Sequence, residues 1–217
     1  MMEESVIKIQ NAGIKLGKFI MKPVNLEIPR GYIVGIQGDN GAGKSTLIRM
    51  ILGKYMNMQG HIYVNGCDAV TQRCSALQNV GFISQEHSLF MGENAIENEK
   101  KYAPFYKDWD SEVYHMWMNE MELSMSKNLE AFSTGEYIKY QLAFAAAYRP
   151  DVLLLDEPTA NLDTVFRDDF LRILQKFVAD YDMTILIATH LQEDLSRIAD
   201  YVIDIENGQC KMREAQI

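Results

Sequence analysis

A glycine-rich loop constrains this chain more than any other feature, because it matches the pattern G-x-x-x-x-G-K-[S/T]. The residues of the loop are Gly38, Asp39, Asn40, Gly41, Ala42, Gly43, Lys44, Ser45 and Thr46. Glycines allow backbone angles that turn successive N–H groups inward around anionic oxygens. Lys44 adds a positive charge for the β- and γ-phosphates, and Ser45 offers a hydroxyl to Mg²⁺. The loop therefore predicts a site for a nucleoside triphosphate.

The flanking sequence supports this prediction over a glycine turn that contains Lys-Ser by chance. Residues 32–36 form a short apolar run typical of a strand, and residues 45–52 have apolar side chains at helical spacing. The phosphates would then lie at a helix N-terminus, where the helix dipole favours negative charge.

Composition limits the functions that the chain can have. Its 217 residues and 47% hydrophobic content fit one large α/β domain or a domain with an inserted lobe. A net charge of −9 argues against nucleic acid as a partner, since phosphate contacts need clustered Lys and Arg. Three cysteines without C-x-x-C spacing indicate a reducing compartment and no structural zinc. Without a signal peptide or a membrane span, we expect a cytosolic protein that reaches a membrane only through a partner.

The secondary-structure pattern changes twice along the chain. Strands are predicted in the first third at 6–9, 24–28, 32–36, 61–64 and 80–83. Residues 94–127 are rich in Met, Tyr and Trp and predict helices, with Asp110 or Ser111 as a cap. Helices and strands then alternate at 136–148, 152–155, 166–178 and 184–188. This alternation predicts parallel strands joined by helical crossovers.

Two carboxylates follow the apolar run at 152–155, which is typical of a central parallel strand. Ligands of open α/β sheets bind at the carboxyl ends of such strands. Asp156 is predicted to hold Mg²⁺, and Glu157 is predicted to polarise the water that attacks the γ-phosphate. The Asp-Glu pair alone is common, and only the phosphate loop gives it this meaning.

With these motifs the chain resembles the nucleotide-binding subunit of an ATP-binding cassette (ABC) protein over nearly its whole length. Gln85 resembles the residue of the Q-loop, and residues 132–136 (Phe-Ser-Thr-Gly-Glu) occupy the position of the family signature Leu-Ser-Gly-Gly-Gln. Residues 160–163 (Ala-Asn-Leu-Asp) resemble the D-loop, and His190 resembles the switch histidine. Five motifs in the family order make the resemblance specific.

The resemblance implies a role for each motif. Gln85 would bind Mg²⁺ or the attacking water and join the core to a helical lobe, while His190 would hold the γ-phosphate. Ser133, Gly135 and Asp163 would face ATP on a second ABC ATPase subunit, so that a homodimer or heterodimer encloses two nucleotides. Ser133 also fits an ordinary helix cap, and both interpretations can hold.

The chain departs from the family pattern at two places. Thr134 and Glu136 stand where the family usually has Gly and Gln, and a bulky side chain and a negative charge there predict weaker ATP-driven closure. An aromatic ring usually stacks on adenine just before the second strand. Leu16 occupies that position here, with Phe19 nearby.

The resemblance implies a P-loop NTPase fold of class α/β, with a mainly parallel sheet, flanking helices and an antiparallel β edge formed by the N-terminal strands. We predict a single domain over 1–217, with a core of 1–90 and 137–217 and a helical lobe inserted at about 91–136. The methionines and Trp117 of this lobe (Met116, Met118, Met121 and Met125) fit its core, or else an adaptable groove for a partner helix. His87, Phe90 and Met91 are further candidates for contact with a membrane subunit.

The predicted activity is Mg²⁺-dependent hydrolysis of ATP that powers transport through a separate integral membrane permease, with the chain bound to the inner face of the membrane. The catalytic candidates are Lys44, Gln85, Glu157 and His190, and the metal candidates are Ser45, Gln85 and Asp156. Residues 105–110 resemble a stretch of bacterial export-type ATPases and favour export. The alternatives are a soluble ABC ATPase acting on a ribosome or nucleic acid, and a regulatory ATP-binding module without useful hydrolysis.

Overall fold

The computed structural model describes residues 4–86, 89–160 and 162–215, and these form two β-sheets with helices packed around them. The strands are β1 Ser5–Leu16, β2 Phe19–Pro29, β3 Ile33–Gln37, β4 Gln59–Val64, β5 Cys67–Asp68, β6 Val80–Ser84, β7 Val152–Asp156, β8 Thr184–Ala188, β9 Tyr201–Glu206 and β10 Gln209–Glu214. The helices are α1 Lys44–Ile51, α2 Arg73–Leu77, α3 Ala95–Tyr102, α4 Ser111–Glu120, α5 Thr134–Tyr148, α6 Thr164–Tyr181 and α7 Gln192–Ile198. Short 3₁₀ turns lie at Ala103–Phe105 and Leu129–Ala131.

The larger sheet has the order β10-β9-β3-β8-β7-β6, and the five strands from β9 to β6 are parallel. Its central strands β7 and β8 are apolar and buried almost throughout, as expected for a sheet covered by helices on both faces. The carboxyl ends of β3, β7 and β8 therefore meet at one edge. The predicted parallel α/β core is confirmed.

The N-terminal strands form a separate antiparallel sheet with the order β2-β1-β4-β5. Asn65 and Gly66 join β4 to β5 with φ angles of 49° and 77°, which confirms the predicted turn. The predicted antiparallel region is thus present, but as its own sheet. The antiparallel edge of the larger sheet is β10, which the sequence pattern did not reveal.

The segment between β6 and α5 contains helices and 3₁₀ turns, and Asn94 and Asn128 form an isolated bridge within it. Asp110 caps α4 by accepting the N–H groups of Glu112 and Val113, as predicted. Asn94 caps α3 in the same way. The lobe boundaries at 91 and 136 remain a prediction, because α5 packs on α4 and also on the parallel sheet through one continuous core.

The methionine-rich part of α4 packs mainly into this core. Trp117, Met118 and Met121 are buried, Met125 is partly buried against the same cluster, and Met116 is exposed. The Trp117 indole donates to the Tyr181 hydroxyl at 3.1 Å, which ties α4 to α6. The core interpretation is therefore confirmed for most of this set. Within the described residues, no helix is both long and apolar enough to cross a bilayer.

Candidate active site

The glycine-rich loop connects β3 to α1 and wraps around the start of that helix. Gly38, Gly41 and Gly43 have φ angles of 154°, 82° and 117°. A Cβ on Gly38 would lie 2.5 Å from the carbonyl oxygen of Ile205, so any larger residue would displace β9. The backbone carbonyl oxygen of Asp39 accepts the N–H of Ala42 at 3.0 Å, which closes the turn. The backbone thus forms the type of cradle that suits a phosphate at a helix N-terminus.

Lys44, the first residue of α1, is held inside this loop and is only 6% exposed. Its Nζ donates to the Gly38 carbonyl oxygen at 2.9 Å and lies 3.3 Å from Glu157 Oε1. A buried ammonium needs such partners. Phosphate oxygens entering the loop would offer it stronger ones, so the arrangement fits the predicted contact with the β- and γ-phosphates.

Glu157 lies between Lys44 and His190, immediately after β7. It has a φ of 48°, and its N–H donates to the Ala188 carbonyl oxygen at 2.9 Å, which directs the residue toward the end of β8. His190 Nδ1 lies 2.8 Å from Glu157 Oε2. A left-handed backbone is uncommon for glutamate, and such positions concentrate at functional sites. The structure therefore brings the predicted base and the predicted switch histidine into direct contact.

The predicted metal ligands also meet at this edge of the sheet. Ser45 Oγ donates to Asp156 Oδ1 at 2.7 Å, although the two residues are 111 positions apart. Among the described residues, no group of three or more His, Cys, Asp and Glu could hold a metal ion. Mg²⁺ normally keeps waters and binds one or two protein oxygens together with substrate phosphates, so this sparse oxygen set fits Mg²⁺ carried by a nucleotide.

Gln85 lies beside the same site, at the end of β6. Its side-chain amide donates to the carbonyl oxygens of Ala160 at 2.8 Å and Glu157 at 3.3 Å. Sequence reasoning missed Gln141, which is buried in α5 and donates to the Ser84 carbonyl oxygen at 2.9 Å. A polar residue within the buried face of a helix was the available signal. Gln141 joins α5 to the strand that carries Gln85.

A cavity of about 940 Å³ adjoins the loop and accommodates more than phosphate. Phe19 lines it, together with Asp39, Asn40, Gly41 and His190. A Cβ on Gly43 would lie 2.6 Å from the Phe19 ring, so the ring packs on the loop itself. Leu16 is not among the lining residues and packs instead, partly buried, against the core of the antiparallel sheet. Of the two adenine candidates, the structure brings only Phe19 to the cavity.

The signature residues lie on a second cavity, of about 480 Å³, and among the described residues none lines both cavities. Ser133, Gly135 and Asp163 all line it. Ser133 caps α5 by accepting the Glu136 N–H at 3.2 Å, and Asp163 caps α6 by accepting the Phe166 N–H at 2.8 Å. Both helices therefore begin at this cavity, and their N-terminal dipoles favour anions there, although the carboxylates of Glu122, Glu136 and Asp163 line the same cavity. Asn161 of the D-loop lies outside the described residues.

Glu136 is paired in a way that the sequence did not suggest. Its carboxylate accepts the Ser133 N–H at 2.7 Å and lies 3.1 Å from Lys127 Nζ. The backbone N–H of Ser133, opposed by partial burial and assisted by Lys127, holds the pKa of Glu136 below its ordinary value. The negative charge at the signature is therefore matched by a nearby positive charge.

An apolar cavity of about 300 Å³ lies between the end of β6 and α5. Aromatic and aliphatic side chains line it, including Leu89, Tyr102, Tyr106, Phe144 and Tyr148. Phe90 follows the lining residue Leu89 in the sequence and is 49% exposed, and Met91 is partly buried. His87, the third residue predicted to contact a membrane subunit, lies outside the described residues.

With this geometry in place, comparison with known proteins identifies the family. The family profile described as ABC transporter matches residues 21–160. The chain is 30% identical over 213 residues to the uncharacterized ABC transporter ATP-binding protein YdbJ of Bacillus subtilis, covering 97% of this chain and 69% of that protein. The chain belongs to the ABC transporter ATP-binding proteins.

Other relatives have named roles in transport. The chain is 33% identical to the sulfate/thiosulfate import ATP-binding protein CysA of Synechocystis, over 94% of this chain and 59% of that protein. It is 31% identical to an energy-coupling factor transporter ATP-binding protein of Caldanaerobacter subterraneus, over 96% of this chain and 77% of that protein. The chain thus spans little more than half of some relatives and most of others.

Solved structures share the fold. An ATP-binding subunit of an ABC transporter superposes with a TM-score of 0.84 at 23% identity, covering 97% of this chain and 90% of that chain. An ATP-binding cassette described as a dimer in a post-hydrolysis state, bound to ADP and Pi, superposes with a TM-score of 0.82 at 23% identity and covers 97% of this chain and 99% of that one. These likenesses establish the ABC ATPase fold for the chain.

Proposed function

We propose that this chain is the ATP-hydrolysing subunit of an ABC transporter, that it uses Mg²⁺-bound ATP, and that it drives a separate membrane-spanning protein. The observation that carries the proposal is the line of contacts from Lys44 through Glu157 to His190, at 3.3 Å and 2.8 Å. A regulatory module without hydrolysis would not need a base and a histidine held against the phosphate loop.

In this proposal the residues act by positioning and by charge stabilisation rather than by forming a covalent intermediate. Lys44 exchanges its contacts with Gly38 and Glu157 for phosphate oxygens. Glu157 is then free to orient a water and accept its proton, while His190 contacts the γ-phosphate. Mg²⁺, held by Ser45 and Asp156 with Gln85 nearby, would supply positive charge to the phosphates.

The assembly we propose is a two-fold dimer of this chain. One chain carries both the phosphate loop and the signature residues Ser133, Gly135 and Asp163, but on separate cavities. A two-fold axis lets each signature face cover the loop of the other copy, so two copies are sufficient for two complete sites. ATP binding would close this dimer and hydrolysis would reopen it.

The membrane partner would contact the apolar cavity between β6 and α5, next to Phe90 and Met91. This cavity adjoins the strand that carries Gln85, and Gln141 connects that strand to α5. Movement of the partner would therefore reach both the catalytic edge and the signature helix, which is the coupling that transport requires. The chain would then lie on the cytoplasmic face of the membrane.

Export remains a prediction that rests on residues 105–110 alone. Tyr106 and Trp109 pack against Phe144, and Asp110 caps α4. These three residues therefore stabilise the fold itself and give no independent evidence of export. Phe105 is 81% exposed and is the large apolar residue of this stretch that remains available for a contact specific to exporters. Relatives named for import carry the same cassette, so direction would be set by the membrane partner.

The proposal is tested by capturing the partner. Glu157→Gln protein, with ATP and Mg²⁺, would be used as bait on detergent-solubilised membranes of the native host, with Lys44→Ala protein as the matched control that cannot hold ATP. Recovery of a polytopic membrane protein with Glu157→Gln protein, but not with Lys44→Ala protein, supports the transporter function. Recovery of ribosomes or nucleic acid in its place would favour the soluble alternative and contradict the proposal.

A further inference from the structure

Lys127 lies six residues before the signature serine, Ser133, and contacts Glu136. Lys127 Nζ is 3.2 Å from Glu136 Oε1 and 3.1 Å from Oε2, so it contacts both carboxylate oxygens. It also lies 5.2 Å from the centroid of the Phe132 ring. The N–H of Lys127 donates to Ser124 Oγ at 3.2 Å, which fixes the backbone from which the side chain extends.

Glu136 is itself part of the start of α5. Ser133 and Glu136 form a reciprocal capping box, in which each side chain accepts the backbone N–H of the other residue. The N–H groups of Thr134 and Gly135, at the first two helical positions, have no intrahelical acceptor. These two groups are therefore the ones that the helix can offer to an anion from outside.

A carboxylate at this position would by itself oppose an incoming phosphate. A full negative charge beside the first turn is larger than the roughly half positive charge of the helix N-terminus. Lys127 restores the balance, because its ammonium contacts the carboxylate directly and neutralises it.

The pair contributes little to folding. The side chains of Lys127 and Glu136 are 37% and 39% exposed, and ion pairs at such exposure are screened by water and stabilise proteins weakly. Its main consequence is therefore the charge at Glu136, which lines the signature cavity together with Ser133, Gly135 and Asp163.

We propose that Lys127 is a positioning residue for ATP-driven closure: it neutralises Glu136 so that the start of α5 accepts the γ-phosphate of ATP held by a second copy of this chain. The proposal rests on the proposed ATPase dimer. It also replaces the expectation that Glu136 weakens closure, because the charge that would do so is compensated within the same subunit.

The test is a double-mutant cycle on ATP-dependent dimer formation. All proteins carry Glu157→Gln, and the dimer dissociation constant is measured by sedimentation with saturating ATP and Mg²⁺. Lys127→Ala is expected to weaken the dimer about tenfold, which corresponds to about 1.4 kcal/mol. Glu136→Gln should change it less than about twofold, and Lys127→Ala combined with Glu136→Gln should restore the reference value, because the two residues are coupled.

Three controls separate this role from a structural one. Lys127→Arg keeps the charge and should keep the dimer. Lys139→Ala removes a lysine that lines the signature cavity without contacting Glu136 in the way Lys127 does; its ammonium lies 5.6 Å from the Phe166 ring centroid, and its loss should weaken the dimer less than Lys127→Ala. ATP affinity, measured at protein concentrations below the dimer constant, should not change in any of these variants, since the phosphate loop lies on the other cavity.

The outcomes are distinguishable. Restoration by Glu136→Gln supports the proposal. Two results would overturn the role of Lys127 and leave the ATPase dimer intact: a dimer that forms with ATP but is unaffected by Lys127→Ala, or one that Lys127→Ala weakens equally with and without Glu136→Gln. A reference protein that remains monomeric with ATP overturns the dimer of identical chains and the role of Lys127 together.

Discussion

The face around the phosphate loop and the face around the signature are built in opposite ways. On the loop face, partners come from distant parts of the chain: Ser45 contacts Asp156, and Glu157 contacts His190. On the signature face the polar contacts are local, since Lys127, Ser133 and Glu136 fall within ten consecutive residues.

This difference indicates what each face does. The loop face depends on the register of the parallel strands, so its geometry is fixed by the whole core and suits chemistry that needs accurate positions. The signature face depends on the starts of α5 and α6 and on their caps, so it can retain its structure while its relation to another subunit changes. Substitutions on the first face should affect turnover, and those on the second should affect assembly.

The largest expected effect is at Glu157. Glu157→Gln should lower ATP turnover by about 100-fold or more, because a general base typically contributes that factor. ATP affinity should remain, since the phosphate cradle and Lys44 are unchanged. Turnover and nucleotide affinity would be measured on the same preparation. Full turnover in this variant would show that the base lies elsewhere and that the contact with His190 is structural.

A smaller effect is expected at Ser133 on the signature face. Ser133→Ala should weaken ATP-dependent dimer formation several-fold to about tenfold, through loss of a hydroxyl that faces phosphate. It should also lower stability by about 1 kcal/mol, since alanine is a poor helix cap. Ser133→Gly separates the two effects, because glycine costs a cap only a few tenths of a kcal/mol. If Ser133→Gly restored both stability and the dimer, Ser133 would be a cap alone.

The adenine contact gives a third and weaker test. Phe19→Ala should lower ATP affinity about fivefold, because stacking of a base on an aromatic ring is worth about 1 kcal/mol or more. Leu16→Ala is the matched control, since Leu16 packs against the antiparallel sheet and should affect stability without affecting affinity. Titration with a fluorescent ATP analogue would measure the nucleotide affinity of both variants. Equal losses of affinity would contradict the assignment of Phe19.

The smallest effect on nucleotide binding and assembly is expected at Asp68, a buried carboxylate that lines neither the loop cavity nor the signature cavity. Burial opposes its ionisation, but the N–H groups of Thr71 and Val70, together with His61, lower the pKa of Asp68 to about 2. A pKa below the ordinary value of about 3.9 means that the stabilisation is present above pH ~4 and is lost as the pH falls toward 2.

Asp68→Asn should therefore reduce the free energy of unfolding by about 1–2 kcal/mol near neutral pH, with no change in turnover. The difference from the wild type should narrow between pH ~5 and pH ~2. Chemical denaturation of both proteins at several pH values measures this difference in the free energy of unfolding. A difference that is independent of pH would assign the loss to packing rather than to the carboxylate.

Much of the loop face could be predicted from sequence because its functional residues belong to short motifs of consecutive residues. The glycine loop, the Asp-Glu pair after β7 and the histidine after β8 are recognisable by residue type and by the strands that precede them. Gln141 could not be predicted in the same way, since its contact with Ser84 depends on how α5 packs against β6. The choice between Leu16 and Phe19 also depended on packing, because only Phe19 reaches the loop.

The sequence by itself determined the central strands of the parallel sheet and the phosphate-loop motif, because hydrophobic periodicity and glycine-lysine motifs act over a few residues. The tertiary structure decided which charges meet. The sequence predicts an unfavourable negative charge at Glu136. The structure shows that Lys127, whose N–H donates to Ser124, lies against this carboxylate. Coulomb attraction depends on the distance between atoms in space, and that distance is set only when the helices have packed.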